Sequence, residues 1–211
     1  LLIFLQLDSE DYMATSLFGS PGSIPATPSN IISYTPEGAG AVVTTVEAKL
    51  RKYVDPIDKG AVGDGVTDDA AALNAALSGG AKVIDGHGLT YKINSQVTVP
   101  ANVTFQNAIL QMADSNYLGL AYNSGSKLFE ITVLGTSRTN QYPGAQRGIG
   151  AASAGRTNVT IRARAENCNI NFDADGTSDS DLQLIVKNAS GQTGVSEGYG
   201  ALLYQGANRN K

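Results

Sequence analysis

From Gly60 to Leu77 the chain reads Gly60-Ala61-Val62-Gly63-Asp64-Gly65-Val66-Thr67-Asp68-Asp69, then Ala70-Ala71-Ala72-Leu73-Asn74-Ala75-Ala76-Leu77. This run limits the fold more than any other feature. Gly60, Gly63 and Gly65 give the backbone freedom for tight turns that other residues enter only with strain. Thr67 or Asp68 suits the N-cap of the following helix, and Asp69 suits the positive end of its dipole. Leu73 and Leu77, four apart, give the helix one core-facing side, and Ser78-Gly79-Gly80 ends it. The expectation is a strand, a tight loop and a short capping helix.

After Gly80 short apolar runs recur between turns. Strands are expected at 82–85, 91–94, 96–99, 103–106, 109–112, 128–133, 159–163, 168–172 and 182–187. Turn residues such as Asp85-Gly86-His87-Gly88 and Val99-Pro100-Ala101-Asn102 separate them. Asn-Val-Thr followed by an apolar residue occurs twice, as Asn102-Val103-Thr104-Phe105 and Asn158-Val159-Thr160-Ile161. Comparable strands recur at uneven intervals of roughly 20 to 30 residues, as in a solenoid with variable loops. Periodicity alone does not separate such a solenoid from a β-sandwich. Hydrophobic residues at 42% against 16% charged allow a buried core, while 24 glycines and no tryptophan favour turns and small β-branched residues.

Two further regions precede this one. Residues 1–43 form a low-order stretch rich in Ser, Pro, Gly and Thr, with apolar beads at Leu17, Phe18, Ile24, Ile31, Ile32 and Tyr34. It reads either as a linker or as a peptide that orders on docking. Its first apolar run is too short to span a membrane and lacks the pattern of a signal peptide. Met13-Ala14-Thr15 reads like a translation start, so 1–12 are expected to lie upstream of it. Residues 44–55 have helix formers in their middle, with Val46, Leu50 and Tyr53 at i, i+4 and i+7 as one apolar stripe. Three isolated turns are marginal, so the stripe has to meet the next domain or its own copies.

The Gly60–Asp69 motif with its alanine-rich helix closely resembles the opening of pectate-lyase-like right-handed parallel β-helices, a superfamily that includes polygalacturonases, rhamnogalacturonase-like proteins and phage tail spikes. Val97–Phe105 is similar to an early coil of that group. Lys59 departs from it, standing where the group usually has an aromatic residue. The helix Thr45-Val46-Glu47-Ala48-Lys49-Leu50-Arg51, set directly before the motif, resembles the junction of phage tail spikes and tail fibres. The resemblance implies an all-β, single-stranded parallel β-helix over 56–211 with an N-terminal capping helix, behind an attachment segment. In such proteins Gly60, Gly63, Asp64, Gly65, Thr67, Asp68 and Asp69 are structural. It also implies a homotrimer with Val46, Leu50 and Tyr53 around the axis, a virion tail or baseplate partner, and host surface polysaccharide as ligand. A free secreted polysaccharide hydrolase or lyase of polygalacturonase type, and a non-catalytic stem adaptor, are the alternatives.

Several residues invite chemistry. Asp64, Asp68 and Asp69 form a carboxylate cluster of the kind glycoside hydrolysis uses, but their places between glycines and at a helix start favour structural roles. The family's catalytic signatures are not found beyond Gly86-His87-Gly88, and any catalytic residues are expected in coils beyond this chain, which reads as an incomplete domain. Asp173-Ala174-Asp175-Gly176-Thr177-Ser178-Asp179-Ser180-Asp181 is acidic but lacks the spacing of a calcium loop, so a solvated turn is expected. No metal or cofactor is expected. His87, the single histidine, reads as a turn residue, and Cys168, the single cysteine, as a buried inert thiol in a strand. Tyr117, Tyr122, Tyr142, Tyr199 and Tyr204 lie in polar stretches, where they either stack on sugars or cover loop ends. With a formal charge of −4 and no basic stripe, nucleic acid is not an expected partner.

Overall fold

A computed structural model describes residues 32–114, 117–136, 146–189 and 199–202. The chain divides into two units, Leu1–Glu47 and Ala48–Lys211. In the first, β1 (Ser33–Tyr34) pairs antiparallel with β2 (Thr44–Thr45). The helix α1 (Val46–Leu50), which starts directly after β2, is only five residues long. The expected three-turn helix is therefore corrected at both ends. Thr44 and Thr45 are strand residues, and Tyr53 and Val54 form β3, paired with Val83 and Ile84. Tyr and Val both suit a pleated surface, and a ladder partner outweighs the small gain of one more helical turn. Val46, Leu50 and Tyr53 thus do not share one helical stripe.

A 3₁₀ turn (Pro56–Lys59), capped by Asp55, leads to β4 (Asp64–Asp68) and α2 (Ala70–Ser78). Lys59 is exposed at the end of that turn. Three short strands follow: β5 (Val83–Asp85), β6 (Thr90–Ile93) and β7 (Val97–Val99). Then come β8 (Thr104–Met112), β9 (Leu118–Tyr122), β10 (Lys127–Leu134) and β11 (Arg147–Ala151). Last are β12 (Thr160–Glu166), β13 (Ile170–Asp173), β14 (Asp181–Lys187) and β15 (Tyr199–Leu202). The two runs expected at 103–106 and 109–112 are thus one strand, β8.

Every strand pair described in this unit is parallel. One sheet carries β14-β12-β10-β8-β5-β3 with β6 and β4 beside β8, and the other carries β15-β13-β11-β9-β7. From β7 onward successive strands alternate between the two sheets, so the chain winds coil upon coil. That arrangement is a parallel β-helix.

The winding puts like residues on top of each other. Ile84, Phe105, Leu128 and Ile161 form one inner column and continue to Leu182. Ala108, Ile131 and Ala163 form a second, and Leu110, Val133 and Ala165 a third. All of these except Leu182 are buried. In the other sheet Val97, Leu120, Ile149 and Phe172 stack in register. Each buried Val, Leu, Ile or Phe contributes about 1.5–3 kcal/mol, and stacking lets coils of unequal loop length share one core. Leu73 and Leu77 of α2 are buried against the start of this column, where α2 packs on β7 and the 3₁₀ turn. The helix thereby covers the end of the solenoid, as the resemblance implies.

Candidate functional site

The carboxylates of the opening motif are all engaged with the backbone. Asp64 accepts from Val66 N, Thr67 N and the Thr67 hydroxyl at 2.8, 2.8 and 3.0 Å. The Thr67 and Val66 amides hold its carboxyl below the usual carboxylate range. Asp68 Oδ1 accepts from Ala70 N at 3.2 Å and from Asn94 N at 3.1 Å, so it caps the first turn of α2 and ties it to the next coil. Asp69 is buried, and its two oxygens take Val62 N at 2.7 Å and Gly63 N at 3.0 Å. Asp69 also occupies the N-cap position, though its side chain turns back to the glycine loop. The N-cap is thus neither Thr67 nor Asp68, as expected from sequence, but Asp69, and Asp68 bonds the first helical amide from one position further out. Gly60, Gly63 and Gly65 have φ of 88, 69 and 72°, a region that accommodates no Cβ without strain. The motif is a folded plug, and its acids are occupied by backbone amides.

The open polar surface lies at a corner of the first sheet. There β8 and β10 each carry one residue in the left-handed region, Asn107 (φ 57°) and Glu130 (φ 54°). The two stand between paired positions, since Gln106 aligns with Phe129 and Ala108 with Ile131. The next strand lacks this residue: Phe129 aligns with Arg162 and Ile131 with Ala163, which are adjacent. The stack of corner residues therefore stops at Glu130. A recess of about 460 Å³ opens beside it, lined by Gln106, Asn107, Phe129, Glu130 and Arg162. The Arg162 guanidinium lies over the Phe129 ring, 5.7 Å from its centroid. Asp85 sits behind the recess, where it takes Gln106 Nε2 at 2.8 Å, His87 N at 2.8 Å and Asn107 Nδ2 at 3.2 Å. Burial pushes its pKa up, but these donors outweigh that and leave it lowered. None of the five lining residues carries a signal in sequence, because the recess exists only once coils are stacked.

The other expected residues fall in varied surroundings. His87 is in a turn, as read, with φ of 53°, its Nε2 2.9 Å from Asp55 Oδ2 and its Nδ1 3.8 Å from Asp85 Oδ1. Tyr122 is not a loop residue: it is buried in β9, stacked on Phe172 at 6.1 Å, with its hydroxyl 2.8 Å from Thr177 Oγ1. Tyr117 is half-buried and bonds Ala113 N and Ile93 O, so it closes a loop end. Tyr199 is an exposed strand residue, and Tyr142 and Tyr204 lie outside the described residues. The acidic stretch after β13 is not a solvated turn. Asp173, Ala174, Thr177 and Ser180 are buried, Asp173 Oδ2 bonds Arg147 Nη1 at 3.0 Å, and Ser180 Oγ accepts from Val159 N. Stacking on the neighbouring coil, through Thr157 opposite Ser178, draws it inward. Among the described residues no group of three or more His, Cys, Asp or Glu is placed to hold a metal ion.

Cys168 is buried as expected, but in the bend between β12 and β13 and not in a strand. Burial pushes its thiol up to about 12. Native protein at pH 8 is expected to resist iodoacetamide, with stoichiometric labelling by mass spectrometry only after denaturation. Because the folded thiol holds its proton more tightly, its contribution is intact below about pH 9 and is lost as pH rises towards 12.

Fold and site together define a helix-plugged parallel β-helix with a polar recess on one outer corner. A model described as the N terminal extension of bacteriophage endosialidase matches residues 61–111, the plug and the first coils. The tail spike protein of an Escherichia phage is 43% identical over 67 residues, covering 32% of this chain and 8% of that protein. The crystal structure of tailspike protein 3 of bacteriophage CBA120 is 15% identical, covers 77% of this chain and 36% of that one, and has a TM-score of 0.36. The matched part of the chain thus resembles phage tail spikes, and spans a small part of their length.

Proposed function

We propose that this chain forms the opening coils of a phage tail spike and works in host recognition at the virion tail. The observation that carries this reading is the plug. Its glycine turns, its three engaged aspartates and α2 occupy the segment that matches the endosialidase extension, and a stretch of the chain is similar to the Escherichia phage tail spike. Tail spikes are components of the virion tail, which makes a tail or baseplate protein the natural attachment partner. A polysaccharide of the host surface is the ligand this reading entails. No cleavage step is assigned, since Asp64, Asp68 and Asp69 are bonded to backbone amides. A homotrimer is the assembly the tail-spike reading entails, and Leu50 and Tyr53, 62% and 69% exposed, are the apolar side chains near its start that a copy of the chain would cover.

Antibodies raised against the chain and detected with gold on intact virions test the location. Label concentrated on the tail is the expected result. Unlabelled virions, with the chain recovered only as free protein in the lysate, contradict it.

A further inference from the structure

Glu130 stands out at its corner. Among the described residues, every other non-glycine residue with positive φ is Asn, Asp or His. Asn and Asp tolerate the left-handed region because their short polar side chains bond locally, whereas Glu enters it at a cost. Asn107, one coil earlier in the same stack, shows the residue that suits the site, and its amide bonds Asp85. Glu130 returns nothing of the kind: it is exposed and its side chain makes no hydrogen bond or ion pair with another described residue. Arg162, across the recess, is exposed and pairs with no carboxylate among the described residues, lying over the Phe129 ring. The corner itself takes a left-handed residue, as Asn107 shows, and the unusual choice is Glu in place of Asn, a local cost that a binding role accounts for.

We propose that the recess around Glu130 and Arg162 is a carbohydrate subsite that binds a short stretch of glycan through its hydroxyls. Gln106 and Asn107 each give one side-chain N–H to Asp85 and line the recess with amide groups, which both accept and donate. With the Glu130 carboxylate and the Arg162 guanidinium, the lining offers acceptors and donors together, which suits a ligand whose hydroxyls do both. Arg162 supplies the donor fork for ring or hydroxyl oxygens, and the Phe129 edge offers an apolar contact for a sugar's C–H face. A nucleic-acid backbone would meet the Glu130 carboxylate, and a simple ammonium ligand would meet Arg162. At about 460 Å³ the recess is within the usual range for ligand sites. The choice of glycan among hydroxyl-rich ligands rests on the tail-spike reading above.

The test is binding of the purified chain to an array of bacterial capsular and O-antigen polysaccharides, repeated with Arg162→Ala and Glu130→Gln. Thermal unfolding of Glu130→Asn is followed alongside. The expected result is retention on at least one polysaccharide, weakened about tenfold or more by either substitution. Glu130→Asn is expected to raise the unfolding midpoint while it weakens binding, since it relieves the backbone and removes the longer acceptor. A midpoint that falls marks Glu130 as structural and overturns the subsite. Binding unchanged in Arg162→Ala and Glu130→Gln also overturns it and leaves the tail-spike reading standing. Retention on no polysaccharide overturns it too, and gold label on the tail would then leave a stem role.

Discussion

Phe105→Ala is expected to cost about 3–5 kcal/mol of unfolding free energy, read from the urea midpoint of the purified chain. Phe105 is buried in the inner column, with Ile84 on one side and Leu128 on the other. Removing its ring leaves a cavity that neither neighbouring coil can close without moving a strand held by ladder bonds on both sides. The effect is expected to reach beyond one residue, because each coil of a solenoid is stabilised by its neighbours. Leu182→Ala, on the last described strand of the same column, removes a partly buried side chain. It is expected to cost about 1–2 kcal/mol. Equal losses at the two positions would contradict a stacked core.

Asp69→Ala is expected to cost about 3 kcal/mol, from two buried backbone donors left without their acceptor and a charge-assisted network broken. Val62 N and Gly63 N point at the two oxygens of this one buried carboxylate, so the glycine loop and the start of α2 are held by a single side chain. Asp69→Asn keeps the shape but turns an NH₂ group towards an amide that is itself a donor, and is expected to recover only part of the loss. Asp64→Ala, at a fully exposed carboxylate, is expected to cost less than Asp69→Ala. Urea unfolding of the three variants gives the order directly. A neutral Asp69→Ala would show that the plug does not depend on this bond.

How much of this was legible follows the range of the interactions. The plug was readable because its determinants are local: Gly63 and Gly65 need positive φ, and Asp64, Asp68 and Asp69 bond amides close in sequence. The first sheet was readable because Val103, Phe105, Leu110 and Leu128 keep recognisable apolar patterns. In the second sheet β7 and β13 were read, whereas β9, β11 and β15 were missed. Leu118-Gly119-Leu120-Ala121-Tyr122 and Arg147-Gly148-Ile149-Gly150-Ala151 look like loops, since glycine weakens any strand signal. The structure shows why glycine is there: a Cβ on Gly148 would lie 2.6 Å from Asn171 O and 3.2 Å from Cys168 Sγ. The junction helix was overextended because its propensity is local, whereas the pairing of Tyr53 with Val83 is not. The recess was invisible for the same reason. It depends on one residue that β12 lacks relative to β10, and only the coil-to-coil register reveals that.

The register of the coils carries both the fold and the recess, and disulfide trapping tests it most directly. Ile109 and Thr132 are aligned on adjacent parallel strands, while Arg164 aligns with Thr132 one strand further on. Adjacent strands lie about 4.8 Å apart, within reach of a disulfide, and a two-strand gap is beyond it. The expected result is that Ile109→Cys with Thr132→Cys closes under mild oxidation, seen as a loss of two hydrogens by mass spectrometry, whereas Ile109→Cys with Arg164→Cys stays reduced. Closure of the second pair and not the first would contradict the stacking on which this account of the chain depends.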